Sequence, residues 1–409
     1  MNNNTCLLIY NHPIVASAPT IMDHVNSFNM YSVNDFININ TNYGFPPILN
    51  SYKFDIIVLH YSLFGKYPFL LSKHFIDYIK DQSSSIKIAF FQDEHQYCLQ
   101  RFNLINDLKI SVIFSLLEEQ NLDKVYGRCE NVKYKFTTLT GYVSDELKSK
   151  SSLFTKPFNE RSVDFGYRAR DLSFVMGKGA QEKTNIAIKF AELCVGKKYK
   201  LDLSSSENSR LHGDEWYRFV ANCKAMLGVE AGVSIFDING EAFAECKSYL
   251  NVNPGCTFEE IYNAVLRKYE LSDENVYYRT ISPRVFEAAA FKVCMVMFEG
   301  SYSGLLQPYI HYIPLRKNFS NIEEVFDTFN NLDRCKSITE NAYSHLIKKN
   351  VYTFNNFIKE FDSKIKLIGA KNIVLNQDFK PLDIALLKLH KKFSFKFKIK
   401  RILKKFLLK

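Results

Sequence analysis

The sequence predicts an α/β protein of two successive domains, each built on a parallel sheet. Three observations lead there. At 409 residues the chain exceeds one ordinary core, and two domains of roughly 150 to 200 residues are expected. Short apolar runs separated by helical lengths recur along it, the pattern of parallel strands joined by right-handed crossovers. Hydrophobic residues at 46% and aromatics at 15% supply folded cores and set the chain apart from disordered types.

Taken in order, the strands expected in the first half are residues 5–10, 55–60, 86–91, 111–115 and 134–139, with helix-like segments at 67–80 and 99–108. Residues 31–50, rich in asparagine and ending in Gly44-Phe45-Pro46-Pro47, read as a less regular connection. The Ser/Lys-rich stretch 148–160, with Pro157, reads as the interdomain linker. Strands resume at 163–167, 199–203, 225–229, 293–298 and 312–315. Residues 243–278 form an insertion, helical around 258–268. Ser320 and Glu323 stand at capping-box spacing for a helix to about residue 332, and 336–368 reads mainly helical. The domains are therefore expected at 1–155 and 160–335, with C-terminal helices over 336–387 and a basic amphipathic tail over 388–409.

The net charge of +10 is not spread over the chain. Residues 388–409 hold ten Lys and Arg and no acid, which leaves 43 basic against 43 acidic residues in the body. Ile399, Ile402, Leu403, Phe406 and Leu407 fall on one helical face among those cations, and Phe393, Phe395 and Phe397 precede them at strand spacing. That pattern predicts an anionic membrane surface as partner, with nucleic acid not expected. The plain alternative is a helix docked on the body by its apolar stripe. Nine scattered cysteines without a CxxC pair argue for reduced thiols and a cytoplasmic location. No apolar run has membrane-span length, and residues 5–10 are too short for a signal-peptide core.

Open parallel sheets bind ligands beyond the carboxyl ends of their strands. In the first half that rule selects loops carrying His12, His60, Asp93 and Glu94, expected to orient or deprotonate an acceptor hydroxyl. Ala16-Ser17-Ala18 beside His12 would let a backbone approach a ligand. In the second half, Arg168 and Arg170 follow a strand and precede Gly177-Lys178-Gly179 and Lys183, a density of cations and glycines suited to phosphate. Ser282 can cap a helix that Pro283 opens, which puts Arg284 in the first turn and Glu287 one turn on. A cation there needs an anion to share the site. The plain alternatives are surface loops, a solvated helix face and an Arg284–Glu287 pair on an exposed helix.

Residues 281–288 (ISPRVFEA), 298–304 (FEGSYSG) and 311–315 (HYIPL) carry a resemblance. They are similar to the C-terminal signature of GT-B glycosyltransferases of the group 1, family 4-like type, in a bacterial surface-glycan set. Residues 163–183 and 212–237 extend the match in order. The resemblance implies two Rossmann-like domains facing across a cleft, with terminal helices crossing back onto the first. It implies transfer of a sugar from a UDP- or GDP-sugar to a glycan or lipid-linked hydroxyl, with no cofactor and no metal. Asp-x-Asp and HExxH spacings are both absent from the sequence.

By the same resemblance Glu287 would accept hydrogen bonds from the ribose, and a basic pair, Arg168 with Lys178 or Lys183, would hold the diphosphate. Common members place a second glutamate where this chain has Arg279, and Glu230 would take over part of its role. Gly300, Ser301, Ser303 and Gly304 would wrap the diphosphate with backbone amides; a plain turn is the alternative. Two other functions stay open: a nucleotide-sugar epimerase, or a non-catalytic glycan- or envelope-binding protein on a degenerate fold of this type.

Overall fold

The computed structural model describes residues 3–13, 19–370 and 377–407, with side chains described as far as residue 395. Two parallel sheets form it. The first is built from β1 (Thr5–Tyr10), β2 (Asp35–Asn40), β3 (Ile56–Leu59), β4 (Ile86–Phe90), β5 (Val112–Ser115) and β6 (Tyr134–Thr137), in the order β2-β1-β3-β4-β5-β6. Its crossovers are α1 (Thr20–Tyr31), α2 (Lys73–Asp81), α3 (Cys98–Leu108) and α4 (Glu119–Tyr126), and α5 (Asp145–Phe154) follows it. Central strands such as IIVL in β3 are buried on both sides, as a parallel sheet with two covered faces requires.

The second sheet uses β7 (Val163–Arg168), β8 (Leu201–Ser204), β9 (Cys223–Gly228), β12 (Cys294–Phe298) and β13 (Ile313–Leu315), ordered β13-β12-β9-β7-β8. Around it lie α6 (Lys178–Leu193), α7 (Asp214–Asn222), α8 (Glu241–Val252), the short α9 (Phe258–Ile261) and α10 (Arg267–Glu270), α11 (Pro283–Ala290), α12 (Ile322–Asn330) and α13 (Leu332–Tyr343). Each sheet reverses its order once, between β1 and β3 and between β7 and β9. Those two reversal points are where an open sheet leaves a crevice.

Two elements tie the halves together. The antiparallel pair β10 (Ala231–Val233) and β11 (Tyr278–Thr280) brackets the insertion and sends Val233, Phe236, Val276 and Tyr278 into the apolar cluster under α2, α3 and α4. Then α14 (Phe354–Leu367) returns to the opposite face of the first sheet. Its Phe354, Phe357, Ile358, Phe361 and Ile365 recur at helical spacing and pack with Val25, Phe28, Val58 and Phe90. The last helix, α15 (Lys380–Leu407), starts on the same domain, with Leu382 fully buried and Phe393 against Tyr43 at 5.2 Å between ring centroids.

Several local expectations are corrected. The asparagine-rich segment contains β2, an edge strand whose Asn40 side chain bonds the His12 backbone. The stretch read as a linker is largely the helix α5, capped by Ser144, with Leu147 buried against the second domain. The helix expected from residue 67 begins only at Lys73, since Pro68 lacks the amide a helix interior needs. No capping box forms at Ser320: Asn321 precedes α12 and spends its side chain on Arg316 N and Pro314 O. Phe393 and Phe395 lie on helix α15, not on a strand. The apolar face expected over residues 399–407 concerns side chains outside those described, as do Ala16, Ser17 and Ala18. Among the described residues no helix is long and apolar enough to cross a membrane.

Phe361 is fully buried among Phe28, Phe90 and Phe114. Phe361→Ala is expected to cost about 3–5 kcal/mol in a urea unfolding curve, because it empties the seam between α14 and the first sheet.

Candidate functional site

The two sheets point their carboxyl ends at each other across a cleft of about 710 Å³, well within the range of small-ligand sites. Both reversal points open into it. From the first domain come Asn11 after β1, Tyr61 and Ser62 after β3, and Gln92 and Asp93 after β4. Facing them are Arg168, Ala169 and Arg170 after β7, Gly228 and Val229 at the end of β9, Lys183 from α6, and Ser282, Arg284 and Glu287 from α11. Trp216 and the turn at Arg210–Gly213 complete the wall.

The start of α11 is built as its sequence dictates. Ser282 accepts a hydrogen bond from Arg284 N and Pro283 takes the position whose amide has no partner. Arg284 then bends over the Trp216 ring, 5.5 Å from its centroid, and donates to the Arg168 carbonyl. Glu287, half-buried one turn on, accepts from the Trp216 indole N–H at 2.9 Å. Its withdrawal from water raises the carboxyl above the ordinary range, opposed by Arg284 and by that indole.

Lys183 is the electrostatic centre of the wall. Burial, with Arg279, Arg284 and Arg170 around it, lowers its pKa to about 8, against the pull of Asp93 from the opposite domain. Besides Arg168 and Arg210, which pair with Asp202 and Glu207, the cations Arg170, Lys183 and Arg284 border the same cavity. Their mutual repulsion is relieved when a multiply charged anion enters. Asp93 lines the other side in a left-handed backbone conformation, φ 54°.

The remaining sequence-predicted residues lie elsewhere. His60 is fully buried and shares its ring nitrogens with His24 and Ser62, at 3.0 and 2.9 Å; burial drives its pKa well down. Glu94 is also fully buried, accepting from Ser115, Leu116 N and Tyr126. Neither can meet an acceptor. His12 sits between lining residues without being one, its backbone held by Asn40. Lys178 turns to the insertion: its ammonium lies 4.1 Å from the Tyr262 ring centroid and its amide donates to Glu270. Ser234 takes the Gly179 amide, so the first turn of α6 is already capped within the protein.

Arg168 contributes its carbonyl, while its guanidinium is bound to Asp202 at 2.8 Å and stacked on Phe219. Glu230 props the 300–304 turn from below, accepting from Tyr302 N at 2.8 Å and from Tyr277. Gly300 is needed there, since a Cβ would stand 2.6 Å from the Glu230 carboxyl carbon. Ser301 reaches Glu118 of the first domain at 3.5 Å, and Gly304 N closes the turn on the Ser301 carbonyl. Arg279, where a glutamate was expected by resemblance, is buried in a pair with Glu182. Gly179 makes room for it, since a Cβ at that position would collide with its Nη1.

Trp216, the single tryptophan of the chain, is the residue that sequence reasoning missed. It stands inside the stretch 212–237, but nothing in that stretch signals a contact with Glu287, 71 positions away.

No family model and no curated protein matches the chain. Solved structures are similar in overall layout. An α-glucosyltransferase in complex with UDP and a 13-mer DNA containing an HMU base aligns over 89% of this chain and 99% of its own, at 11% identity and TM-score 0.49. A glycosyltransferase from Rickettsia africae ESF-5 aligns over 91% and 100%, at 11% identity and TM-score 0.48. HepE from Anabaena, in complex with UDP-glucose, aligns over 88% and 100%, at 9% identity and TM-score 0.47. A protein of similar layout is therefore seen with DNA, and the expectation that nucleic acid is not a partner is withdrawn.

The placement of Glu94 is open to a direct check. Glu94→Ala is expected to cost about 1–3 kcal/mol in thermal or urea unfolding, because Ser115, Leu116 N and Tyr126 lose their acceptor. Affinity for anions in the cleft, measured by calorimetry on the folded protein, is expected to stay unchanged.

Proposed function

We propose that the protein is a glycosyltransferase that takes a sugar from a nucleoside-diphosphate sugar held by the second domain. One observation carries the reading: Arg170, Lys183, Arg284 and Glu287 stand together where the reversal points of two parallel sheets face each other. Departure of a nucleoside diphosphate builds negative charge on the bridging oxygen and terminal phosphate. Preset cations in a partly dry cleft stabilise that charge without reorganising. Glu287, an acceptor beside those cations, suits the paired hydroxyls of a ribose.

Asp93 faces the same space from the first domain and would receive or orient the acceptor hydroxyl. The donor is a UDP- or GDP-sugar. The acceptor is a lipid-linked or polysaccharide hydroxyl of a bacterial surface glycan, reached by a protein held at the inner face of the membrane through its basic tail. The motif resemblance and the ten uncompensated cations of residues 388–409 support that part.

A thermal-shift screen with UDP-glucose, UDP-N-acetylglucosamine, GDP-mannose and related donors is expected to find at least one that stabilises the protein. Arg284→Ala and Glu287→Ala are each expected to weaken that donor by roughly ten- to a hundredfold. The pH dependence has a definite sign. An anion selects protonated Lys183, whose free pKa of about 8 rises when a diphosphate binds. Affinity is therefore level below pH 8 and falls above it, and Lys183→Arg removes the fall. No stabilisation by any donor would favour the binding-protein alternative.

A further inference from the structure

Trp216 is half-buried at the rim of the cleft, in the first turn of α7. The chain reaches it through Gly213 at φ 54°, and the next residue, Tyr217, anchors the helix by stacking on Phe291. Two contacts leave the indole in opposite chemical senses. Its N–H donates to Glu287 Oε2 at 2.9 Å, and its face carries the Arg284 guanidinium 5.5 Å from the ring centroid. Behind it the Phe219 ring lies 5.7 Å away, and the Arg168 guanidinium stacks on Phe219 at 4.3 Å. A continuous ladder therefore runs from the cleft to the Arg168–Asp202 pair at the sheet edge.

This arrangement solves a problem that α11 creates. Arg284 and Glu287 are three residues apart and would pair with each other on an open helix. Paired in that way, the cation and the carboxylate would each satisfy the other and neither would meet a ligand. The structure holds them apart: Glu287 is taken up by the indole N–H, and Arg284 by the indole face and the Arg168 carbonyl. We infer that Trp216 is a positioning residue that sets Glu287 and Arg284 as a preformed pair, carboxylate for a ribose and guanidinium for a phosphate. The ligand in this statement rests on the proposed function, while the coupling of Trp216 to Glu287 can be tested without any ligand.

The two roles of the indole separate by substitution. Trp216→Phe keeps an aromatic face for Arg284 and removes the N–H; Trp216→Ala removes both. Loss of one hydrogen bond to a carboxylate corresponds to roughly a tenfold change in affinity. Calorimetry would use the best donor from the screen above and, separately, inorganic pyrophosphate, which has no ribose. Trp216→Phe is expected to weaken the nucleotide sugar about tenfold and leave pyrophosphate unchanged, whereas Trp216→Ala weakens both. Equal weakening of both ligands by Trp216→Phe, or no effect on either, would overturn the inference.

The ligand-free arm uses the wild-type protein's own emission, since it has one tryptophan. Glu287 is acted on by Arg284 of its own helix and by Asp23 of α1, with Tyr217 of α7 and Glu146 of α5 beside them. A step in Trp216 emission with pH is expected, lost in Glu287→Gln and kept in Asp23→Asn. Absence of the step, or its survival in Glu287→Gln, would overturn the coupling. A step that behaves as expected in a protein that binds neither nucleotide sugar nor pyrophosphate would support the coupling and sink the nucleotide-sugar reading.

Discussion

Burial of Phe236 and Tyr278 in the first domain decides where the two sheets meet. Both rings come from the segment bracketed by β10 and β11, which belongs in sequence to the second domain. They meet edge to face, 5.4 Å apart, and the Asp237 amide donates to the His95 carbonyl at 2.9 Å beside them. Fully burying an aromatic side chain is worth about 2–3 kcal/mol, so this contact and the α14 seam both join the lobes. A ligand therefore meets residues of both domains at once.

Inside that cleft Arg170, Lys183 and Arg284 stand near one another, with Lys183 the one withdrawn from water. Among the described residues Arg170, Lys183 and Arg284 make no close ion pair, unlike Arg279, which pairs with Glu182, or Arg168, which pairs with Asp202. The contrast is informative. Of the cations that line the cleft, Arg168 and Arg210 have acids of their own in Asp202 and Glu207, whereas Lys183 has the more general pull of Asp93 across the gap. Burial is the main reason the Lys183 pKa is lowered; Arg279, Arg284 and Arg170 add to it, against the pull of Asp93.

Much of the fold was legible because buried parallel strands leave a strong trace. Runs such as IIVL and CMVMF are apolar on both faces and bounded by turns. Strand β2, DFININ, was missed since an edge strand need not be apolar, and α5 was hidden by a Ser/Lys-rich composition that resembles a linker. The Ser282–Glu287 segment was legible because its cap, proline and charges fall at fixed local spacing. Contacts between distant segments were not. A cluster of titratable groups after β4 gives no hint that Glu94 turns inward to Ser115 and Tyr126 while Asp93 turns to the cleft. His60 failed likewise, since only the fold reveals His24 waiting beside it.

On this view the cations of the second domain receive a diphosphate at the facing reversal points. A crystal structure of the protein soaked with a nucleoside diphosphate tests this most directly. Density for the phosphates is expected within hydrogen-bond reach of Arg170, Lys183 and Arg284, with the ribose against Glu287. Density for the nucleotide elsewhere, with those three side chains left facing solvent in the cleft, would contradict it.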